Sequence, residues 1–514
     1  MMPKRHYYIT TAIDYANGSP HMGHAVEKIG ADVMARYHRL AGKSVHFVIG
    51  MDEHGQKVLQ SATREEITPQ AWVDQIAEEF LDAWALLGIS YDDFIRTSQP
   101  RHHKAVKEMV RRMKDNGDLY LGTYKGFYCV GCEGYKTEDE LVPGPPGELE
   151  DTLRCPVHPS RPIEWMEEQN WFFRLSAYSD QLEELINEQP TFVMPNHRRN
   201  EVRRMLEGGL EDISVSRSHL PWGVEWPGEE DHTVYVWLDA LTNYLSAVGF
   251  PDTRYMHYWP ADVHVVGKDI TRFHCIYWPA FLMSAGVMVP KQVWAHGFVT
   301  YGGRKLSKSE GTVLDLRLAI ERHGPEALRY YLMREVPWDD DGGITEERFD
   351  ALYTAELAND LGNLANRALA MTEKYRGGTI PAADLSPAWL DRLQEVHGDV
   401  VNFMDRSLLH KALDEVMKLV RDANVYVEER QPWAQAKDPE QAPALDETLM
   451  SLARMLTVVS TLLFPFMPRK MEELATRLGL ESVPSLEDCL TAELQGRTVH
   501  RGDPLFPRPD LGLR

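Results

Sequence analysis

Cysteine is scarce, five residues in 514. That is too few for a disulfide scaffold at this length, and three of the five, Cys129, Cys132 and Cys155, crowd into one stretch in a pattern that suggests metal. Cys275 and Cys489 read as packing residues. Long apolar runs are missing too. The greasiest, Met455 to Met467, falls short of the roughly 20 residues a helix needs to span a bilayer, and the opening MMPKRHYYIT has no stretch of signal-peptide length. A cytoplasmic protein with no membrane partner is the expectation. Positive charge is also in deficit. Lys and Arg total 55 against 78 Asp and Glu, a net charge of -23, which argues against indiscriminate nucleic-acid binding but leaves room for a local basic face. Two basic segments, Arg101 to Lys114 and Asn196 to Met205, read as solvated helix faces. Repeats and low-complexity tracts are absent.

What is present is the composition of a globular chain, 43% apolar and 26% charged, long enough for about three domains. Arg5 to Ile13 reads as a buried strand, Ala25 to Leu40 carries apolar residues at helical period, and Ser44 to Gly50 reads as the next strand. Strand, helix, strand predicts a βαβ unit of a parallel sheet, with ligands at the carboxyl ends of the strands, where His21 and Asp52 fall. Gly, Pro, Cys and Glu then dominate Gly117 to Gly147, the texture of an insertion. Sheet-like signals return at His232 to Leu238 and His264 to Val266, so the α/β fold is read as split. From Glu346 onward nearly every segment has helical period, which predicts a bundle.

Three motifs carry chemistry. In SPHMGH, Pro20 suits a first helical position, Gly23 removes a side chain that would block a ligand, and His21 and His24 share the first turn. A helix start with two imidazoles makes a phosphate cradle. Alone the motif is weak: a chance helix start or two metal ligands at i and i+3 fits as well. Downstream, KLSKS places Lys305 and Lys308 in a Gly-flanked stretch, as mobile cation clamps on a polyphosphate or as a solvated loop. Cys129-x2-Cys132 and Cys155-x2-His158 have the spacing of a closed, tetrahedral, structural zinc site, expected to lie far from the nucleotide residues.

Together HMGH and KLSKS resemble the paired signatures of class I aminoacyl-tRNA synthetases, with Leu306 in place of the usual Met, a volume-conserving exchange. AIDYANGSPHMGH, GMDEHG, VYVWLDAL and GKDITRFH are similar to the methionyl branch of that family, which often has Pro where Leu241 stands. The resemblance implies an α/β fold, a split Rossmann-like parallel sheet with a zinc-binding connective insertion, followed by an all-α helix-bundle anticodon-binding domain. The implied boundaries are 1–115 and 231–290 for the catalytic halves, 116–230 for the insertion, 291–350 for the KLSKS linking region and 351–514 for the bundle. It implies the joining of L-methionine to initiator and elongator tRNA(Met) through a methionyl-adenylate, with ATP and its Mg²⁺. Methionine would meet Ile13, Tyr15, Asp52, Trp237, Ala240, Leu241, Tyr244, Ile270, Phe273 and His274. ATP would meet His21, Gly23, His24, Asp269 and Lys308, with His21, His24, Lys305 and Lys308 catalytic. Asn363, Arg367, Pro432 and Trp433 would read the anticodon, and a monomer is expected. A cysteinyl enzyme would place zinc thiolates beside the first strands, yet no Cys precedes Cys129; leucyl, isoleucyl and valyl enzymes would need a larger insertion. A non-catalytic tRNA-binding paralogue would not need intact His21, His24, Lys305 and Lys308.

Overall fold

The computed structural model describes residues 6–130, 134–144, 153–158, 163–218, 220–302, 304–305 and 315–508. Tyr, Ile and Thr make β1 (His6–Thr11), whose second half is buried as in a sheet covered on both faces. The chain breaks from extended pairing at Ala12 and Ile13, resumes as β2 (Asp14–Tyr15), crosses over through α1 (Met22–Leu40) and returns as β3 (Ser44–Asp52). β1 and β3 run parallel, Tyr8 opposite His46. Helices α2 (Gln56–Arg64) and α3 (Pro69–Leu87) lead to β4 (Asp93–Arg96), which pairs with β3, and α4 (Pro100–Asp115) follows. On the other side of β1 lie Val263–Gly267, then Val293–His296, then Val193–Met194, completing a seven-stranded parallel sheet. The chain leaves β1 to opposite sides, so a crevice opens at the carboxyl ends of β1, β3 and Val263–Gly267, the place where open α/β sheets bind ligands.

Two stretches differ from the sequence expectation. Val193–Met194, within the span read as insertion, pairs with Val293–Trp294 in the main sheet. Its two residues are too few to register as a periodic signal. His232 to Leu238, read as sheet-like, is a short strand, His232–Val234, antiparallel to Ser216–Ser218, followed by a helix at Val236–Leu241. A short apolar run does not distinguish a buried strand from a buried helix.

The insertion is an antiparallel sheet. β5 (Leu119–Cys129) pairs with Glu164–Phe173 over ten rungs, from Leu119 opposite Phe173 to Tyr128 opposite Glu164. The basic segment in α4 has its charges matched by acids: Lys104 to Asp252, Lys107 to Glu225, Arg111 to Glu108 and Asp115. It is a solvated face, as expected. Cys275 and Cys489 are fully buried, and burial pushes the Cys489 thiol up to about 11, consistent with packing.

The C-terminal part is helical: Pro387–Asp405, Leu409–Arg430, Ala442–Leu463 and Pro468–Arg477 pack around one another, with Ala442–Leu463 buried on nearly every side. The helical run Glu346–Arg376 leads in, and its middle, Tyr353–Gly362, is wound with the wider π repeat. One buried arginine joins bundle to sheet. Arg329 donates to the Leu87, Pro465 and Phe466 carbonyls and pairs with Asp32 of α1 at 2.7 Å. Asp32 is shared with Arg36 at 2.8 Å, so it is removal of Asp32 that would leave the buried Arg329 charge uncompensated, at a cost of roughly 3–5 kcal/mol. Gly30 of α1 lets Trp338 pack against the helix, since a methyl there would lie 2.3 Å from the indole.

Candidate active site

The two histidines that open α1 cap it reciprocally. His21 is the N-cap: its Nδ1 accepts from the Gly23 N–H at 3.1 Å, while His24 Nδ1 accepts from the His21 N–H at 3.3 Å. The rings stack at 3.7 Å. An imidazole whose Nδ1 accepts carries its proton on Nε2 when neutral, so both rings are set as Nε2–H donors. A Cβ at Gly23 would press on the His21 ring at 3.0 Å. The helix begins at Met22, so Pro20 precedes the cap and is not the first helical residue, which corrects the expectation.

A cavity of about 770 Å³ opens beside them. Ile13, Tyr15, Asp52, Trp237, Ala240, Leu241, Tyr244, Ile270, Phe273 and His274 all line it, as does Asp269. His21, Gly23 and His24 are not in its wall but stand at the start of α1, at the same end of the sheet. Trp237 and Phe273 form one flat surface, their rings 3.6 Å apart and 4° from parallel. Burial lowers the His274 ring to about 4, so it is neutral at physiological pH. Its Nδ1–H donates to the Ile270 carbonyl at 3.0 Å, which leaves Nε2 to accept from the Tyr244 hydroxyl at 2.7 Å.

The break at Ala12 and Ile13 is held from behind by a buried lysine. Lys28 donates to the Ala12 carbonyl at 3.0 Å and pairs with Asp14 at 2.8 Å and Glu27 at 2.7 Å. Burial pulls the Lys28 ammonium down, but the two carboxylates outweigh it and keep it charged. Sequence reading missed Lys28, and also Lys57, Asn243 and Lys268, which line the cavity. Lys28 sits one position past Glu27 on a helix face that reads as ordinary surface until the fold buries it.

Cys129, Cys155 and His158 place their ligand atoms within 4.8 Å of one another, with both cysteines buried. Two cysteine sulfurs and an imidazole converging in this way fit a zinc-type ion. Cys132 lies outside the described residues. His158 and Val157 also line the cavity, so the cluster is not far from the nucleotide residues, contrary to expectation. Val157 and His158 lie between the paired strands β5 and Glu164–Phe173, and their approach to the cavity is a proximity that ligand spacing cannot reveal.

In the bundle, Asn363 and Arg367 lie one turn apart, and the Arg367 guanidinium stands 6.0 Å over the Trp433 ring. Arg367 also pairs with Glu428 at 2.5 Å. Gln431, at φ 46°, ends Leu409–Arg430, and the buried Pro432 starts a new short helix that presents the partly exposed indole. Lys305 falls in a short strand, Arg304–Lys305, antiparallel to Val299–Tyr301; Lys308 lies outside the described residues.

A parallel sheet split by an insertion, a histidine-capped helix at its carboxyl edge and a helical domain behind it define a class I aminoacyl-tRNA synthetase. Residues 7–369 match the family described as tRNA synthetases class I (M), and residues 377–508 match the anticodon binding domain of methionyl tRNA ligase. The chain belongs to the methionyl-tRNA synthetase family. It is 44% identical over 519 residues to a methionine–tRNA ligase of Brucella suis, covering 99% of this chain and 98% of that one. It is 42% identical over 512 residues to one of Thermotoga maritima, covering 98% of this chain and 80% of the relative. The Mycobacterium tuberculosis methionyl-tRNA synthetase in complex with methionyl-adenylate superposes with a TM-score of 0.93 at 39% identity, covering 98% of this chain and 100% of that one. Among the described residues no helix is long and apolar enough to cross a membrane.

Proposed function

We propose that this cavity binds methionine beside ATP, and that the chain charges initiator and elongator tRNA(Met) through a methionyl-adenylate. One observation carries the assignment: ten residues drawn from four separate stretches of sequence, with Asp269, line a single cavity at the switch point of the sheet. The Ile13 backbone and the Asp52 carboxylate take the substrate ammonium. The stacked Trp237 and Phe273, with Tyr15, Ala240, Leu241, Tyr244, Ile270 and the neutral His274, hold the side chain. A thioether is soft and gains from sulfur–aromatic contact, and an uncharged His274 imposes no ion on it.

In the first step a methionine carboxylate oxygen attacks the α-phosphorus of ATP, and pyrophosphate leaves. In the second a 3′-terminal ribose hydroxyl of tRNA attacks the activated carbonyl, and AMP leaves. No bond to the enzyme forms, so the protein acts by positioning and by stabilising charge. Asp269 holds the ribose. His21 and His24 offer Nε2–H donors to the phosphates, with Gly23 admitting them, and Lys305 and Lys308 clamp the pyrophosphate side. Mg²⁺ arrives with ATP. Catalytic halves 1–115 and 231–290, an insertion 116–230, a linking region 291–350 and a bundle 351–514 frame this reading, with a cytoplasmic monomer as the working form. Incubating the chain with methionine and ATP but no tRNA tests the first step: methionyl-adenylate should be recovered bound, and its absence would refute the assignment.

Zinc, held by Cys129, Cys132, Cys155 and His158, would brace the insertion and take no part in the chemistry. Elemental analysis of protein purified without chelator is expected to find one zinc per chain, and Cys155→Ser to lose it. A metal-free protein would contradict the site.

Asn363, Arg367, Pro432 and Trp433 are assigned to the anticodon, an unstacked base lying on the indole with edge bonds from the amide and guanidinium. Trp433→Ala is expected to lower charging efficiency about tenfold or more while leaving adenylation intact, since stacking one base on an aromatic ring contributes roughly 1–3 kcal/mol. Charging of tRNAs with CAU and altered anticodons, beside a melting curve, checks this. A mutant that melts early but discriminates normally would make Trp433 a packing residue.

A further inference from the structure

Asp239 is completely buried, in the helix Val236–Leu241 whose Trp237, Ala240 and Leu241 line the cavity. One carboxylate oxygen meets His54 Nδ1 at 2.6 Å and the other meets His102 Nε2 at 2.7 Å. Burial alone would push this carboxyl up, but the two imidazoles outweigh it and hold it below the usual carboxylate range. The two contacts lead to different places. His102 belongs to α4 and bonds Ser246 Oγ through its Nδ1 at 2.9 Å, away from the cavity wall. His54 stands two residues past Asp52, and its contact to Asp239 spans 185 positions of sequence, across the whole insertion.

The residue between, Glu53, is fixed as firmly. Its carboxylate meets Arg96 Nε and Ser98 Oγ at 2.5 Å each, and its N–H donates to Thr97 Oγ1 at 2.9 Å. Asp52 therefore emerges from β3 into a segment anchored to the β4 side through Glu53 and to the aromatic wall through His54. From the His54 contact we infer that Asp239, acting through His54, is a positioning residue that sets the distance between the Asp52 carboxylate and the Trp237–Leu241 wall. It thereby gauges the length of amino acid that fits between them. This rests on the reading of the cavity as the methionine site.

The test compares the two arms of the same carboxylate. In pyrophosphate exchange, His54→Ala should raise KM for methionine about tenfold or more, with kcat and KM for ATP within about threefold of wild type, the split expected when ground-state placement is lost. His54→Asn, whose amide nitrogen occupies the place of Nδ1, should restore KM; His54→Gln, with its amide one carbon further out, should not. His102→Ala removes an equally buried contact and should lower the melting temperature without moving KM for methionine. His54→Ala should also relax rejection of ethionine, which is one methylene longer. If His54→Ala does not fold, the Asn and Gln pair decides. Unchanged KM for methionine in the Gln variant, or an equal rise in His102→Ala, would overturn the inference. Absence of methionine-dependent exchange in the wild type would instead sink the reading of the cavity.

Discussion

His24→Asn is expected to fold as stably as the wild type yet form adenylate about 10²–10³-fold more slowly, the loss seen when one preorganised donor to developing charge is removed. The expectation follows from the reciprocal cap. His24 Nδ1 accepts from the His21 N–H at 3.3 Å, so the neutral ring carries its proton on Nε2, the atom assigned to donate to a phosphate oxygen. Asparagine keeps an acceptor at the Nδ1 position and loses the outward donor. His24→Ala should lose both, with the same rate defect and about 1 kcal/mol less stability from the missing cap. Single-turnover adenylation and denaturant melts separate the two effects. A wild-type adenylation rate in His24→Asn would make the histidine pair a helix cap and nothing more.

Lys308→Ala is expected to lower the adenylation rate by a similar 10²–10³-fold, roughly 2.7–4 kcal/mol, with a much smaller change in methionine affinity. Lys308 lies outside the described residues, so the case rests on its sequence and on where the segment departs. The strand Arg304–Lys305 pairs with Val299–Tyr301, which pairs in turn with Gly342–Ile344. An ammonium on a flexible stem suits a charge that grows on departing pyrophosphate, where contact matters more in the transition state than before it. Stopped-flow adenylation at saturating ATP, beside equilibrium dialysis with methionine, checks the split. An equal loss of rate and of methionine affinity would place Lys308 in ground-state binding.

Much of this site is legible in the sequence because its parts sit where a periodic signal ends. Asp52 closes a run of apolar strand residues and His21 opens a helix, so each falls at a strand's carboxyl end or a helix start by pattern alone, whereas Asp269, just past Val263–Gly267, is singled out by the family resemblance. The bundle is legible for the same reason, as Leu409–Arg430 and Ala442–Leu463 carry a period of 3.6 over many turns. What escapes the pattern depends on contacts distant in sequence. Lys28 is buried only once α1 packs against the strands, the bridge from Asp239 to His54 spans 185 positions, and His158 reaches the cavity from the insertion. Val193–Met194 escapes for a simpler reason, as two residues hold no period. The histidine pair was legible as a helix start, but its tautomers needed the cap geometry.

The central claim is that one cavity selects methionine and activates it with ATP. Exchange of labelled pyrophosphate into ATP, run separately with each of the twenty amino acids and without tRNA, tests it most directly. Methionine alone should support rapid exchange, and Asp52→Ala should abolish it at ordinary methionine concentrations. Exchange supported by a different amino acid, or none with any, would contradict the account.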